Sequence, residues 1–342
     1  MYIKQKDDLL FIGLIFATFI ALIIIIIQSR KYTIFLQKIN PRYYFPTILE
    51  IILNTTILTL ILLIGKLLLE KILHSYCEAL LDEKYKKKEN YCEKPKAKRK
   101  LSIYIVKFFH YLILTIHSYF IYDKLDFFPK ELFGHGNANK LYINGVHSLA
   151  LFNRPKYFDF HYYINLAYTF ADLFCVVFIY DQQTDILVMT LHHFCTIILI
   201  IFSYYNHFDS IGSIILYLHN FSDIFVYLGR SILYTKIPGI FKKIFSICLL
   251  SSFSYFRLFV YGKLIYGYLI HVVWETFYLK NAFMVALVSL YTLHCTWTYK
   301  LVRIAYNSIA KSKFSDSRRF IIEKNIIFRI NTKNYFFPLN QL

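Results

Sequence analysis

Two adjacent histidines, His192 and His193, stand in an apolar stretch and are the residues of this sequence best suited to proton transfer. An imidazole titrates near neutral pH, so it can take a proton from a nucleophile or attack a carbonyl carbon itself. The residues that share one helical face with His192, at spacings of three or four, are Thr196, Leu199, Ser203 and Asn206. This spacing predicts a helix with a polar stripe.

A second polar stripe follows after a short polar turn. Its members, again three or four residues apart, are Gly212, Leu216, His219, Asp223, Tyr227 and Arg230. An ionisable group at the centre of a bilayer costs about 2.5–3.5 kcal/mol, so such groups turn inward and find partners or line a watery cavity. We expect the two helices to be antiparallel neighbours, with the Asp223 carboxylate orienting the His192 imidazole as acyl-transfer chemistry requires.

Two other interpretations of the stripes stay open. The histidines could serve only as hydrogen-bond partners between helices. They could also bind a metal ion, but adjacent histidines point about 100° apart on a helix and seldom bind one ion together. A metal site would need His192, His219 and Asp223 in a single register, and we expect none.

The composition decides the environment of these helices. The chain has 342 residues, 57% of them hydrophobic, and a mean hydropathy of +0.44, which excludes a soluble domain of this size. Stretches long enough to cross a bilayer, which takes about 20 apolar residues, are 9–27, 45–70, 101–122, 158–180, 186–204, 211–233, 243–265 and 282–304. The sequence therefore predicts an all-α, polytopic membrane protein with about eight transmembrane helices. The first stretch has no small-residue cleavage site after it, which favours a signal anchor or first span.

The net charge of +18 predicts the orientation in the membrane. Residues 74–100 contain nine Lys or Arg, and the tail after residue 310 is also basic, so both should be cytoplasmic, as should the N-terminus. The basic loop 28–44 conflicts with this topology, because it falls on the lumenal side. Nucleic-acid binding is disfavoured, since no basic soluble domain is present to carry it.

The predicted organisation has four parts: N-terminal hydrophobic spans at 1–82, a basic cytoplasmic linker at 83–100, a catalytic unit at 101–310 and a cytoplasmic tail at 311–342. The long loop at 123–157 should pack over the lumenal mouth of this unit. The six cysteines form no CxxC pair, so neither a disulfide framework nor a structural zinc site is indicated.

The stretch 191–230 resembles the signature of the ceramide synthases within the TLC-domain family, which reads HH-x-x-T, S-Y-x-x-N, G and L-H-D-x-x-D. The matching residues are His192-His193, Thr196, Ser203-Tyr204, Asn206, Gly212, Leu218-His219 and Asp223. Likeness continues in the stretch from Tyr162 to Ala167, at Asp185 and in Leu293-His294-x-x-Trp297-x-Tyr299, and so covers about residues 101–306. The chain departs from the family pattern at Asn220, where the family has Asp, at Asn165, where it has Gln, and at Asn206, which falls one position early.

The resemblance implies a six-helix TLC-type unit that encloses a lipid chamber and transfers a fatty acyl group from acyl-CoA to the amine of a sphingoid base. Acyl-CoA is then a co-substrate, and no cofactor is needed because the thioester is already activated. The implied catalytic residues are His192 as base or nucleophile, His193 as alternative base or positioning group, and Asp223. The implied substrate-binding residues are Thr196, Ser203, His219, Asn220, Asn165 and Tyr227.

The expected partners are membrane lipids, acyl-CoA and the sphingoid base, in the endoplasmic reticulum membrane, with no nucleic acid; a homodimer or an accessory membrane subunit stays open. Lys236, Lys242 and Lys243 could receive the phosphates of coenzyme A, or could simply be positive-inside charge. The rival interpretation is a non-enzymatic TLC-domain protein in lipid sensing, lipid transport or translocon assistance, which Asn220 favours and the intact HH-x-x-T disfavours. A channel or secondary transporter would have more Gly and Pro breaks than 10 Gly and 7 Pro allow.

Overall fold

A computed structural model of the protein describes residues 47–85, 93–123, 125–137, 157–180, 186–205, 208–271 and 277–311. Its helices are α1 (Ile48–Leu80), α2 (Lys94–Tyr122), α3 (Phe158–Phe174), α4 (Ile186–Tyr205), α5 (Asp209–Tyr234), α6 (Gly239–Ser254), α7 (Tyr261–His271) and α8 (Phe277–Lys311). A π-helical segment, Cys175–Ile179, extends α3, and another, Tyr255–Val260, joins α6 to α7. Single 3-10 turns lie at Glu83–Tyr85 and Lys130–Leu132.

The helices confirm the predicted all-α membrane class. Within the part of the chain described, six helical stretches are long and apolar enough to cross a membrane: Leu49–Leu80, Lys94–Tyr122, Phe158–Ile179, Ile186–Tyr205, Asp209–Tyr234 and Gly239–Ile270. Helix α8 contains the predicted segment 282–304 but is not among these six. The predicted segment 9–27, the loop 28–44 and the tail after residue 311 lie outside the described residues.

Local sequence signals explain where several helices begin. Thr47 caps α1, because its hydroxyl accepts a hydrogen bond from the backbone N–H of Glu50 at 3.2 Å. Pro95 occupies the first turn of α2, where its missing N–H removes no helical hydrogen bond. Pro238 stands directly before α6, so α5 and α6 are separate helices.

The helices pack as a ring around a central space. Going round, α2 packs against α5, α5 against α6, α6 against α8, α8 against α4, and α4 against α3. Helix α1 packs against both α2 and α3 and lies between them. Residues 94–100, the end of the segment predicted as a linker, are part of α2, and α1 packs directly on the helices that follow it.

One end of the bundle, called the basic end here, joins the segment after α1 to the segment after α5. Leu81 pairs with Thr235 in an isolated bridge, and the Lys242 ammonium binds the Asp82 carboxylate at 2.6 Å. Burial alone would raise the pKa of Asp82, but the hydrogen bond from Lys242 and the nearby Lys84 hold it below the ordinary value of 3.8. The stretches 74–100 and 235–243, predicted to share one side of the membrane, therefore meet.

The opposite end is covered by the described part of the long loop, residues 125–137. Phe128 is fully buried, and its ring meets Tyr217 of α5 edge-on at 5.0 Å between centroids. A Cβ at Gly136 would lie 2.4 Å from the carbonyl oxygen of Asp126, so this tight turn requires glycine. Residues 125–137 of this loop pack over the bundle end as predicted, while residues 138–156 lie outside the described residues.

Candidate functional site

A cavity of about 720 Å³, counted to its open mouth, lies between α2, α3, α4, α5 and α8. Of the predicted site residues, those that line it are Asn165, His192, His193, Thr196, Ser203, His219, Asn220 and Asp223. The structure therefore brings eight of the nine predicted residues to one cavity.

The cavity is polar at one end and largely apolar toward the other. Its ionisable lining residues are Asp172, His192, His193, His219 and Asp223, while Leu199, Ile200, Ile215, Leu216 and Phe283 line the further part. From His192 to Ser203 the chain rises eleven residues along α4, which is about 16 Å at 1.5 Å per residue. This shape suits a molecule with one reactive polar end and a long apolar chain.

The two polar stripes predicted from sequence face each other across the cavity. On α4 they are His192, Thr196 and Ser203, and on α5 they are Gly212, His219 and Asp223. A Cβ at Gly212 would lie 2.4 Å from both Ser203 Oγ and Tyr162 Oη. Glycine at this position therefore lets α5 approach α3 and α4 closely. Asn206, which the sequence placed on the α4 stripe, lies outside the described residues.

The carboxylate nearest to the histidine pair is Asp172 on α3. Its Oδ2 atom lies 3.4 Å from His193 Nε2, a contact that is not aligned as a hydrogen bond. The same oxygen accepts a hydrogen bond from Lys107 Nζ of α2 at 2.6 Å, and Oδ1 binds Lys66 Nζ of α1. Asp172 and Lys66 are almost completely buried. These charges offset one another at a depth where a lone charge would be costly.

His192 lies beside its neighbour but has different surroundings. Its Nδ1 atom is buried without a hydrogen-bond partner among the described residues. Its ring meets Trp297 of α8 edge-on, with 4.9 Å between centroids, and lies 5.5 Å from the His193 ring. A buried nitrogen without a partner at the edge of a cavity is available to a bound molecule.

The predicted pairing of His192 with Asp223 is not what the structure shows. Asp223 Oδ1 instead accepts a hydrogen bond from Arg257 Nη2 at 2.6 Å, and the same guanidinium donates to Ser222 Oγ, to the carbonyl of His219 and to His294 Nε2. Arg257 lies in the π-helical segment and is 1% exposed. A buried guanidinium attracts a carboxylate more strongly than a neutral imidazole does, which explains this partner.

A hydrogen bond within α5 fixes which ring nitrogen of His219 is protonated. Its Nδ1 atom lies 2.7 Å from the carbonyl oxygen of Ile215, so Nδ1 carries a proton and donates it. Its Nε2 atom lies 3.2 Å from Nε2 of His294 on α8. The stretch around Leu293, noted in the sequence only for its likeness, thus contributes His294 and Trp297 to the histidine cluster, while Tyr299 is 66% exposed.

Asn220 and Asn165, two of the departures from the family pattern, bind each other. Asn220 Nδ2 donates to Asn165 Oδ1 at 2.9 Å, and Asn165 Nδ2 donates to the carbonyl oxygen of His161 at 2.7 Å. Asn165 Nδ2 also lies 3.0 Å from His161 Nε2, and His161 Nδ1 lies 3.0 Å from His117 Nδ1. Asn220 is therefore held as an amide donor between α5 and α3.

Tyr227 is the predicted site residue that does not line the cavity. Its ring stacks on Tyr111, which does, at 5.3 Å between centroids, and its hydroxyl lies 3.5 Å from Lys107 Nζ. Of the three lysines considered for coenzyme A phosphates, Lys242 is ion-paired with Asp82, whereas Lys236 and Lys243 are exposed.

Sequence reasoning missed four charged residues that surround the site, although a signal for them was present. Each is an ionisable residue inside a predicted transmembrane segment: Lys66, Lys107, Asp172 and Arg257. Intramembrane charges are functional or structural partners by default, so a search for them would have selected this group. Among the described residues, no three His, Cys, Asp or Glu side chains are grouped as metal ligands would be.

Comparison with known proteins places this geometry in a family context. A family model described as the TLC domain matches residues 100–303. The chain is 31% identical to human ceramide synthase 5 over 173 residues, which is 48% of this chain and 43% of the relative. It is 25% identical to the Caenorhabditis elegans ceramide synthase hyl-2 over 198 residues, or 52% of this chain and 58% of the relative.

A plant relative matches a shorter stretch. The chain is 36% identical over 115 residues to the Arabidopsis thaliana protein named ceramide synthase 1 LOH3, covering 32% of this chain and 33% of the relative. The alignments with the human and nematode relatives span about half the length of those curated proteins.

Proposed function

Because the chain belongs to the TLC domain family, we propose that it transfers a fatty acyl group from acyl-CoA to the amine of a sphingoid base, forming a ceramide. The observation that carries this proposal is the cavity, which has the histidine pair at its polar end and extends along α4 from His192 to Ser203, a rise of about 16 Å, with apolar side chains in its further part. Relatives named ceramide synthase and sphingosine N-acyltransferase support the same reaction.

The two histidines suit two different steps. Among the described residues, His192 Nδ1 is buried without a hydrogen-bond partner and no carboxylate forms an ion pair with His192, which suits attack on the thioester carbonyl. The new C–N bond to the imidazole forms as the C–S bond breaks, and coenzyme A leaves as a thiolate that takes up a proton. His193, with Asp172 at 3.4 Å, suits the second step as the base.

In the second step the amine of the sphingoid base attacks the acyl-imidazole. The amide C–N bond forms, the bond to His192 breaks, and the amine proton passes to His193. The alternative route, in which His192 acts as general base and no acyl-enzyme forms, uses the same residues. Asp223 is assigned to holding Arg257 rather than to the histidine pair, because that ion pair satisfies both charges.

The apolar part of the cavity would hold the acyl chain, with Thr196, Ser203, His219, Asn220 and Asn165 along its polar face. Tyr227 would act through Tyr111, on which it stacks. Exposed Lys236 and Lys243 at the basic end would attract the phosphates of coenzyme A from the cytoplasm. The proposed location is the endoplasmic reticulum membrane, with a homodimer or an accessory membrane subunit as further proposed partners.

The test is direct. The full chain, purified in detergent, is incubated with acyl-CoA and sphinganine, and ceramide is quantified by mass. The control is the double variant His192→Ala/His193→Ala, whose folding is checked by size-exclusion chromatography. We expect ceramide from the wild type and about 10²–10⁴-fold less from the variant. Absence of ceramide from the wild type would overturn the enzyme assignment and leave the non-enzymatic lipid-binding role, whereas equal yields from the two proteins would overturn the assignment of the histidine pair.

A further inference from the structure

Helix α1 lies outside the matched domain, residues 100–303, yet it contributes a charged group to the site. Lys66 stands in the middle of α1, is 4% exposed, and its ammonium binds Asp172 Oδ1. The apolar side chains around it on α1, Ile61, Ile64, Leu68 and Leu69, are exposed as lipid-facing residues would be. Lys66 is thus turned inward, toward the ring of helices.

The contacts of Asp172 link this lysine to the histidine pair. Oδ1 is occupied by Lys66, and Oδ2 is shared between Lys107 Nζ at 2.6 Å and His193 Nε2 at 3.4 Å. Four helices, α1 to α4, thereby supply one residue each to a single chain of contacts. The order from the outside inward is Lys66, Asp172 and His193.

A second acidic residue lies next to this cluster. Glu70, one turn after Lys66 on α1, accepts a hydrogen bond from the Tyr180 hydroxyl at 2.6 Å. Lys66, Lys107, Asp172 and Glu70 are two cations and two anions, so the cluster is balanced when all are ionised. A cluster with balanced charge tolerates burial, whereas removal of one member leaves an uncompensated buried charge.

The groups that face His193 decide how it can act. Those that are titratable or charged are Asp172 on α3, Lys107 on α2, Lys66 on α1 and His192 on its own helix. His219 and His294, on α5 and α8, face His192 instead. The contact is not an aligned hydrogen bond, but the negative Oδ2 atom of Asp172 lies beside Nε2 of His193. Its charge favours the tautomer with the proton on Nε2 and leaves the lone pair on Nδ1.

We propose that Asp172 and Lys66 are positioning residues for His193: Asp172 selects the imidazole tautomer that can accept the amine proton, and Lys66 keeps Asp172 ionised and in place. Helix α1 is then part of the active site and more than a membrane anchor. This inference rests on the proposed acyl transfer, because it assigns His193 as the base of that reaction.

The two residues have opposite charges, so their removal should have opposite effects. In Asp172→Asn the imidazolium loses its counter-charge, and the acid limb of the kcat/KM profile should move to lower pH. In Lys66→Met a positive charge is lost, and the same limb should move to higher pH. Each displacement should be about half a unit or more. Asp172→Asn should also lower kcat at least about tenfold, because the tautomer is no longer selected.

The experiment measures ceramide formation against pH for the wild type and both variants in detergent. Lys66→Arg, which keeps the charge, should leave the limb in place. Lys71→Met, which removes an exposed lysine of the same helix, is the matched control and should behave as the wild type. If Lys66→Met fails to purify, Lys66→Gln carries the same test. A merely structural ion pair would lower activity or yield without moving the limb in opposite directions, and that result would overturn the proposal.

A second readout does not depend on turnover. Diethyl pyrocarbonate reacts with the neutral imidazole, and peptide mass spectrometry follows its reaction at His193 as a function of pH in a His192→Ala background. The midpoint should fall in Asp172→Asn and rise in Lys66→Met. Opposite displacements, together with no ceramide from the chain that retains His192, would reject the proposed function alone. Identical midpoints, together with ceramide formation by the chain that retains His192, would reject the positioning role alone.

Discussion

The Nε2 atom of His193 lies 3.4 Å from the Oδ2 atom of Asp172, across the contact between α4 and α3. The carboxylate beside the histidine pair is therefore Asp172, whereas the sequence motif indicated Asp223. Asp223, three residues after Asn220, binds Arg257 at 2.6 Å instead. The site therefore contains two separate ion-pair systems, one beside His193 and one beside His219 and His294.

The nucleophile assignment predicts a trapped intermediate. When the protein is incubated with acyl-CoA and no sphingoid base, one equivalent of coenzyme A should be released, and the peptide that contains His192 should gain the mass of the acyl group. His192→Ala should abolish both signals, while His193→Ala should retain them. Rapid-quench mass spectrometry makes the measurement. Absence of any adduct in an enzyme that forms ceramide would favour the general-base route.

Arg257 and Asp223 should depend on each other for stability. Arg257→Met leaves the partly buried Asp223 carboxylate without its partner, and we expect a loss of about 1–3 kcal/mol. The double variant Arg257→Met/Asp223→Asn removes both charges, so it should recover part of that loss. Thermal unfolding in detergent of the two single variants and the double variant gives the coupling. Strictly additive effects would show that the two groups do not interact.

Gly212 should not tolerate a methyl group. In Gly212→Ala the new Cβ would lie 2.4 Å from Ser203 Oγ and Tyr162 Oη, so α5 must move away from α3 and α4. We expect a loss of about 1–3 kcal/mol and lower activity, because the two polar stripes separate. Gly65→Ala is the control, since nothing lies within 4 Å of its Cβ position and alanine favours the helix. Equal stability of the two variants would contradict the packing described.

Restoring the family's aspartate at position 220 should harm this chain. Asn220 Nδ2 donates to Asn165 Oδ1, and the amide group of Asn165 is already committed to His161. In Asn220→Asp two acceptor oxygens would face each other in a buried place, at a cost of about 1–3 kcal/mol. Melting temperature and ceramide yield should both fall. A variant that is more stable and more active would mean that Asn220 is a defect of the site rather than part of its hydrogen bonding.

Because Asp82 is ion-paired with Lys242 at the basic end, the stability of the folded protein should depend on pH. The pKa of Asp82 is lower in the folded protein than its ordinary value, so the contribution of the pair is present above that ordinary value. It is lost as the pH falls through the lower, folded-state pKa. Asp82→Asn should therefore be less stable than the wild type near neutral pH, and the difference should shrink in strong acid. Thermal unfolding at several pH values tests this.

Much of the fold follows from the sequence because the bilayer restricts the solutions. Apolar stretches of about 20 residues must be helical to satisfy their backbone groups. The seven predicted segments after residue 44 fall on α1 to α8, with ends that shift by up to ten residues, while segment 9–27 lies outside the described residues. The helical period likewise placed His192, Thr196 and Ser203 on one face, and His219 and Asp223 on one face of the next helix. The short turn between them made these faces neighbours.

By itself, the sequence determined which residues lie on the inner faces of two consecutive helices, and hence that a histidine-lined cavity exists. Only the tertiary structure decided which charges meet: Asp172 with His193, Asp223 with Arg257, and Lys66 of α1 with Asp172. The physical reason is that periodicity gives each side chain a direction relative to its own helix. The partner that it meets depends on how distant helices pack around the ring, and no local pattern encodes that arrangement.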